Sequence, residues 1–411
     1  MSKSKFVPVC SCLVVQLCVG IIYLWSVFNS PVTKSLGMTP AKGSLVSSVM
    51  LLAFVVGTLI GGFMNDRKGP RFTVVIGVIL FGLGIGCSGL LHDGISDLIY
   101  LSYGIMGGLG SGFCYTACLS CVQKWFPGKR GFASGLAAAS FGLSTVVFAP
   151  LSRALMNRFT DELSGLVNFM PVFFILGGIF LLLGLAAGCF IRLPRLEDLC
   201  DETADSASCA VVLSVYPDDL STASVLKLAP FWCIFFTIFC SAAAWTLVLP
   251  LISDLGVERG LSLAAATLTV SLTGVVNAVG RLALASLSDK IGRHATIVVV
   301  SCLTILAALL LTFIGGIGYS IAILILSFAY GGPGPLAGAF AVDFFGAKNS
   351  ARNFGLITLS LGLTSVFCNV VSTNILNGSP FATFIMAACM AAIPIGLMYV
   401  LKRLQKKQSH L

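Results

Sequence analysis

The chain has 411 residues, of which 57% are hydrophobic and only 10% are charged. A soluble domain carries about 25% charged residues, so this composition excludes a soluble protein and indicates one that crosses a membrane several times. The formal net charge is +9. No basic domain stands apart from the apolar segments, so the charge indicates topology and attraction to anionic lipid rather than a nucleic-acid partner.

Apolar segments long enough to span a membrane follow one another along the whole chain. A helix of about 20 residues crosses a ~30 Å hydrocarbon core. We predict twelve spans, at 7–28, 44–64, 72–92, 97–122, 132–152, 170–191, 229–251, 262–286, 295–315, 318–341, 354–375 and 380–401. No clear small-residue cleavage site follows the first segment, which is therefore interpreted as a retained helix and not as a signal peptide.

Lysine and arginine near the span ends set the orientation, because they favour the cytoplasmic side. With both termini inside, most of these residues are cytoplasmic. The opposite side then receives only Lys34, Lys42, Arg153, Arg158 and Arg259. We predict a multi-pass protein with both termini in the cytoplasm, in the plasma membrane or, alternatively, in an organellar membrane.

A polar stretch rich in Asp, Glu and Ser divides the spans six and six. Its composition is typical of a flexible linker. The sequence therefore predicts an all-α membrane protein with the following parts: an N-terminal six-helix bundle at 1–192, a cytoplasmic linker at 193–227, a C-terminal six-helix bundle at 228–401 and a cytoplasmic tail at 402–411.

The two halves repeat each other. "GGFMNDRKGPR" (61–71) resembles "LASLSDKIGRH" (284–294), with Asp66 and Asp289 separated by 223 residues. "KWFPGKRGFASGL" (124–136) resembles "DFFGAKNSARNFGL" (343–356) at an offset of about 220 residues. Parallel six-helix halves that rock about a central cavity are typical of transporters, so we expect alternating access and twelve helices in two pseudo-symmetric bundles.

Arg281 is the residue that most clearly predicts chemistry. It lies eight residues before Asp289, and a rise of 1.5 Å per residue places it about 12 Å deeper than the membrane edge. A charge at that depth costs at least ~2.5 kcal/mol, yet every Asp and Glu falls in a loop or at a span end. The equivalent residue of the first half is Thr58, so the repeated scaffold does not require the charge.

A guanidinium grips a carboxylate in a bidentate fork, and we therefore expect Arg281 to be the counter-ion of a carboxylate substrate. Asn277 and Gly274 share its helix face, the first to orient a ligand oxygen and the second to leave room. The alternative is a structural arginine that bonds helix carbonyls and locks one conformation.

Aromatic side chains are expected to wall the binding cavity, because an apolar lining desolvates and aligns a small ligand. The candidates are Tyr23, Trp25, Tyr115, Trp245 and Tyr330. Packing, or a place in an interfacial aromatic belt, is the alternative for each of them.

Charged residues in the two repeated loops are expected to form a conformational latch. An acidic side chain at a helix end can contact the positive N-terminus of a neighbouring helix in one access state and leave it in the other. The predicted latch residues are Asp66, Arg67, Arg71, Asp289 and Arg293; simple topology signals are the alternative.

The loop 62–71 has the pattern G-x-x-x-D-R-x-G-x-R, and a degenerate copy surrounds Asp289. This pattern resembles the signature of the major facilitator superfamily. "IYLWSVFNSP" (22–31), "KWFPGKRGFASGL" and "FFGAKNSARNFGLI" resemble the oxalate/formate antiporter family, which is related more distantly to the monocarboxylate transporters. The resemblance implies aromatic residues at the binding chamber on the helices of Tyr23 and Tyr330.

That family's oxalate transporter carries a lysine in span 11, and the resemblance aligns Leu361 with it. With one cation instead of two, a dicarboxylate leaves a poorly balanced buried charge, so formate, lactate or pyruvate is favoured over oxalate. Exchange or facilitated transport is expected, because the spans contain no deep Asp, Glu or His to carry a proton.

The sequence thus predicts a transporter of small organic anions that acts as a monomer, with membrane lipid as its surroundings. It predicts no enzyme, catalytic residue, cofactor or metal site, since His92, His294 and His410 are isolated and the 15 cysteines form no CxxC pair. The alternatives are a carrier of neutral or larger solutes, in which Arg281 is structural, and a non-transporting sensor of the same fold.

Overall fold

A computed structural model describes residues 3–161, 166–195, 198, 222–376 and 379–408. Helices make up most of these residues, and β-pairing within them is limited to an isolated bridge between Thr160 and Val167. The all-α fold class predicted from the sequence is therefore confirmed.

The first half of the chain contains long helices separated by short turns. In chain order these are α1 (Lys3–Val19), α2 (Trp25–Ser35), α3 (Pro40–Lys68), α4 (Pro70–Cys87), α5 (Gly107–Trp125), α6 (Arg130–Arg158) and α7 (Phe169–Cys189). Short 3-10 turns occupy Gly20–Leu24, Ser88–Leu90 and Asp93–Leu98, and a π-helix at Tyr100–Met106 leads into α5.

The second half has the same character. After a four-residue helical segment at Thr222–Val225, its helices are α8 (Ala229–Val248), α9 (Ile252–Glu258), α10 (Leu263–Ile291), α11 (Arg293–Phe313), α12 (Ile317–Tyr330), α13 (Pro333–Phe345), α14 (Ser350–Asn374) and α15 (Pro380–Gln408). Most of the predicted linker 193–227 lies outside the described residues.

Eleven helical stretches of the described chain are long and apolar enough to span a membrane. The first predicted span, 7–28, differs: its apolar α-helix covers only Lys5–Val19, and a 3-10 turn separates that helix from α2. The turn begins at Gly20, where a Cβ would lie 2.1 Å from the carbonyl oxygen of Phe141. Close backbone packing thus accompanies the interruption of this span.

Several helices extend beyond the predicted spans. The span at 44–64 is part of α3, where Thr39 caps the N-terminus and Gly69, at φ +85°, follows the last residue. The last helix continues to Gln408, so most of the predicted tail 402–411 is helical. The length of an apolar segment reflects the thickness of the hydrocarbon core, whereas capping and turn residues determine where the helix itself ends.

The predicted span at 318–341 is interrupted in the middle. Helix α12 ends at Tyr330 and α13 begins at Pro333, with Gly331 and Gly332 between them. Proline lacks the N–H that would continue the helix, so the glycine–proline run accounts for the break.

The repeat found in the sequence is also present in the structure. Helices α3 and α10 both have 29 residues, and each ends at a glycine with positive φ, +85° at Gly69 and +88° at Gly292. Glycine adopts this left-handed conformation without steric cost. The repeated motif thus has the same helix–glycine–helix geometry in both halves.

The chain forms two compact units. Unit 1 contains Met1–Pro127 and Ser140–Tyr216 together with Ser350–Gly355, and unit 2 contains Gly128–Ala139, Pro217–Asn349 and Leu356–Leu411. Each half of the sequence therefore gives a short segment to the other unit. The bundle boundaries at 192 and 228 stay predictions.

Glycines hold α3 and α5 together inside unit 1. A Cβ on Gly112 would lie 2.4 Å from the Phe54 carbonyl oxygen, and one on Gly57 would lie 2.7 Å from that of Leu109. Small residues at such spacing let helix backbones approach closely, so these glycines allow α3 and α5 to pack tightly.

Candidate functional site

Arg281 lies inside α10 and is buried, with 8% of its surface exposed. Ser262 caps the N-terminus of α10 by accepting a hydrogen bond from the Ala265 N–H, and the helix ends at Ile291, directly before Gly292. Eleven residues separate Arg281 from Gly292, a rise of roughly 16 Å along the axis. The guanidinium therefore belongs to the interior of a membrane-length helix.

Two neutral groups orient the guanidinium. Its Nε donates to Asn277 Oδ1 at 2.8 Å, one turn earlier on the same helix, and one terminal nitrogen donates to the Ala138 carbonyl oxygen at 3.4 Å. The amide nitrogen of Asn277 donates in turn to the Ser327 carbonyl oxygen at 3.1 Å. Asn277 thus ties Arg281 to α12, a positioning contact that the sequence alone did not predict.

Glycines allow the surrounding backbones to approach Arg281. A Cβ on Gly331 would lie 2.6 Å from the Arg281 backbone nitrogen, and one on Gly280 would lie 2.3 Å from the Phe328 carbonyl oxygen. Gly135 approaches equally closely, since its Cβ would lie 2.7 Å from the Arg281 carbonyl oxygen. The arginine is therefore held in a closely packed backbone environment.

Tyr330 and Trp245 form a stacked pair in unit 2. Their ring centroids are 5.5 Å apart and the rings are inclined by 17°. Tyr330 precedes Gly331, whose backbone lies against Arg281. These two candidates thus belong to the same unit as Arg281 and Asn277.

Trp25 and Tyr115 belong to unit 1, where both side chains are buried. Trp25 Nε1 donates to the Gly43 carbonyl oxygen at 2.8 Å, and its ring lies 4.7 Å from that of Tyr103. Tyr115 is buried, with its ring 4.9 Å from that of Phe141. The structure therefore does not bring these two candidates together with Arg281 in one unit.

The remaining candidates are less informative. The side chain of Tyr23 lies outside the described residues. Leu361 is half-buried on α14, and its carbonyl oxygen accepts a hydrogen bond from Ser365 Oγ at 3.4 Å. Thr58, the counterpart of Arg281, is fully buried and bonds the Val55 carbonyl oxygen of its own helix at 2.7 Å.

The carboxylate of Asp289 lies at the N-terminus of α6. It accepts hydrogen bonds from the backbone N–H groups of Gly131 at 2.9 Å and Phe132 at 2.7 Å. The first N–H groups of a helix lack helical partners and carry partial positive charge. This is the kind of contact expected of a latch residue.

A charge network surrounds Asp289. Arg293 bonds Asp289 at 2.6 Å and Asp343 at 2.9 Å, and Asp343 also accepts from Arg130 at 2.8 Å. Arg130 and Asp343 were not among the predicted latch residues, although both lie within the repeated stretches 124–136 and 343–356. The repeat was therefore the signal that could have identified them.

Asp66 makes the equivalent contact in unit 1. Its carboxylate accepts from the backbone N–H of Arg352 at 3.0 Å, in the first turn of α14, and lies 3.4 Å from Nε of the same arginine. By contrast, Arg67 and Arg71 are exposed and form no ion pair with the described residues.

Comparison with known proteins identifies the family. The model of the Major Facilitator Superfamily matches residues 10–368 and 235–410. The Oxalate:formate antiporter of Oxalobacter formigenes is 28% identical over 370 residues, which cover 88% of this chain and 82% of that protein. Apicoplast pyruvate carrier 1 of Toxoplasma gondii is 27% identical over an alignment covering 86% of this chain and 74% of that protein.

A solved structure shares the fold. The fucose:proton symporter of E. coli superposes with a TM-score of 0.73 at 13% identity, covering 97% of this chain and 99% of that one. The predicted twelve-helix architecture and multi-pass membrane location are thereby supported. Since the family model covers most of the chain, the protein belongs to the Major Facilitator Superfamily, whose members are membrane transporters and not enzymes.

Proposed function

We propose that this transporter carries small organic anions with one carboxylate group, such as formate, lactate or pyruvate, by alternating access. Transport is by exchange or facilitated movement, with both termini in the cytoplasm. The observation that carries the proposal is the burial of Arg281 within α10, with Nε oriented by Asn277 at 2.8 Å.

The chemistry of the guanidinium supports a carboxylate ligand. Arginine stays charged and presents planar donors that match the two oxygens of a carboxylate. Two of its partners, an amide oxygen and a backbone carbonyl oxygen, are neutral. In addition, the sequence from Arg259 to Ser288 contains no Asp or Glu, so α10 itself provides no acidic counter-charge before Asp289.

The relatives support the same class of substrate. Oxalate and formate in one protein name, and pyruvate in the other, are all carboxylates. Leu361 favours a monocarboxylate over oxalate in this chain. It is a neutral residue of α14 at the position aligned with a lysine, so Arg281 has no second cation there to balance a second carboxylate. Tyr330, stacked on Trp245, is proposed as the aromatic wall.

The charge contacts of Asp289 and Asp66 are proposed to hold one access state. Both carboxylates contact the N-terminus of a helix, and such contacts are electrostatic, local and reversible. Arg293 contributes by bridging Asp289 and Asp343.

Uptake into proteoliposomes tests the substrate class. Labelled formate, lactate, pyruvate and oxalate are offered to the wild type and to Arg281→Gln and Arg281→Lys variants, with and without the same anion inside. We expect monocarboxylate uptake that Arg281→Gln abolishes and Arg281→Lys retains in part, because lysine keeps the charge but not the fork. The control is Arg158→Gln, which removes an exposed charge at the end of α6.

A carrier of neutral solutes is the second candidate, because the bonds of Arg281 to Asn277 and to a helix carbonyl are those of a structural arginine. In that case Arg281→Gln lowers thermal stability and no carboxylate is taken up by the wild type. A sensor without transport activity takes up none of the solutes.

A further inference from the structure

A groove of about 410 Å³ lies where three helix ends of unit 1 meet. Its lining comes from the early turns of α1, the first turn of α4 and the residues at and after the end of α7. The lining residues are Val7, Pro8, Arg71, Cys189, Phe190, Ile191 and Arg192. No part of the proposed substrate chemistry uses this groove.

The depth of the groove is fixed by the helix ends. Three membrane-crossing segments begin or end beside it, so it lies at the level of the lipid headgroups. Phe190, which is 61% exposed, and Val7 present apolar surface there. Further along the same helices, Ile79 on α4 and Leu182 on α7 are also exposed, so these helices present apolar surface to acyl chains beyond the groove.

Arg71 is the cation available in this groove. Its side chain is exposed and forms no ion pair with the described residues. Arg192 differs, because it bonds both oxygens of Asp198 at 2.6 and 3.1 Å and lies over the Trp125 ring at 4.9 Å. The charge of Arg192 is therefore compensated within the protein, whereas that of Arg71 faces the groove.

We propose that this groove binds an anionic phospholipid, with the guanidinium of Arg71 on the lipid phosphate. Arginine matches phosphate oxygens bidentately, and basic pockets between membrane helices bind anionic headgroups. The exposed apolar residues favour a lipid over a soluble anion, because they offer contact area to acyl chains. This assigns Arg71 a lipid-binding role, separate from the network around Asp289.

The test measures lipid retention by the full chain. Purified protein is titrated with phosphatidylglycerol or phosphatidylcholine and the bound lipid is counted by native mass spectrometry. One basic residue near a membrane surface contributes ~1 kcal/mol, which is about a five-fold change in affinity. We expect Arg71→Gln to weaken phosphatidylglycerol binding by about five-fold and Arg71→Lys to weaken it less.

Two further variants distinguish lipid binding in this groove from non-specific attraction of anionic lipid to the basic surface. Arg67→Gln makes the same charge change two residues before Gly69, outside the groove, and is expected to leave binding unchanged. Cys189→Trp fills the groove without changing the charge and is expected to release the lipid. Equal losses in Arg67→Gln and Arg71→Gln, no preference for phosphatidylglycerol, or complete displacement by inorganic phosphate would each overturn the proposal.

Discussion

Asp289 accepts a hydrogen bond from the backbone N–H of Gly131 at 2.9 Å, across 158 residues of sequence. The same carboxylate is bonded to Arg293 of its own motif. One side chain thus satisfies both a helix N-terminus and a guanidinium, which makes it the centre of the charge network.

Asp289→Asn tests that role. The change removes the negative charge but keeps the size, and a charge at a helix N-terminus contributes about 0.3 to 2 kcal/mol. We expect amide hydrogen exchange at residues 129–135 to rise by about two- to thirty-fold. Asp254→Asn, at an exposed acidic residue of α9, serves as the control. Unchanged exchange in Asp289→Asn would show that the contact does not hold the α6 N-terminus.

Asn277→Asp places a carboxylate at the atom that lies 2.8 Å from Arg281 Nε. We expect this internal counter-ion to abolish carboxylate uptake without loss of thermal stability, because it compensates the guanidinium permanently. Asn277→Ala, which removes the orienting bond, should raise the KM by about ten- to hundred-fold, since hydrogen bonds to charged groups contribute ~1.5–3 kcal/mol. Normal uptake by the Asp variant would contradict the role proposed for Arg281.

Leu361→Lys adds a second cation on α14. We expect the ratio of oxalate to formate uptake to rise by about ten-fold, a difference of ~1.4 kcal/mol, because a dicarboxylate then meets two positive charges. Leu361→Met keeps the volume and the neutrality and should leave the ratio unchanged. If the Lys variant folds and its selectivity is that of the wild type, the alignment of Leu361 with the lysine position is wrong.

Gly331→Ala tests the close packing beside Arg281. The new Cβ would lie 2.6 Å from the Arg281 backbone nitrogen, so we expect destabilisation of about 1–3 kcal/mol, as for other overpacked sites. Gly334→Ala adds the same methyl group three residues later, where nothing lies within 4 Å. Thermal unfolding in detergent compares the two, and equal melting temperatures would exclude a packing constraint at Gly331.

The sequence predicted the helical architecture well, because the features that determine it are local. Apolar length identified the spans, and the repeated loop motif identified the equivalent connections that contain Gly69 and Gly292. Each of these signals is carried by neighbouring residues and depends little on the rest of the chain.

The contacts of the candidate site could not be predicted as well from the sequence. The bond from Asn277 to the Ser327 carbonyl oxygen joins residues 50 positions apart, and Arg130 meets Asp343 across 213. Periodicity gives no information about such pairs. Trp25 and Tyr115 were candidates because of their residue type, and nothing in the sequence indicated their contacts within unit 1. Their place in a binding cavity stays a prediction.

Helices α3 and α10 correspond position by position, with Thr58 in one copy and Arg281 in the other. A duplicated framework of this kind separates architecture from recognition: the glycines and aspartates that both copies share maintain the scaffold, whereas a position that differs between them, as Thr58 and Arg281 do, can change without altering it. Substrate selectivity can then change within one half of the chain, while the other half keeps the shared helix framework.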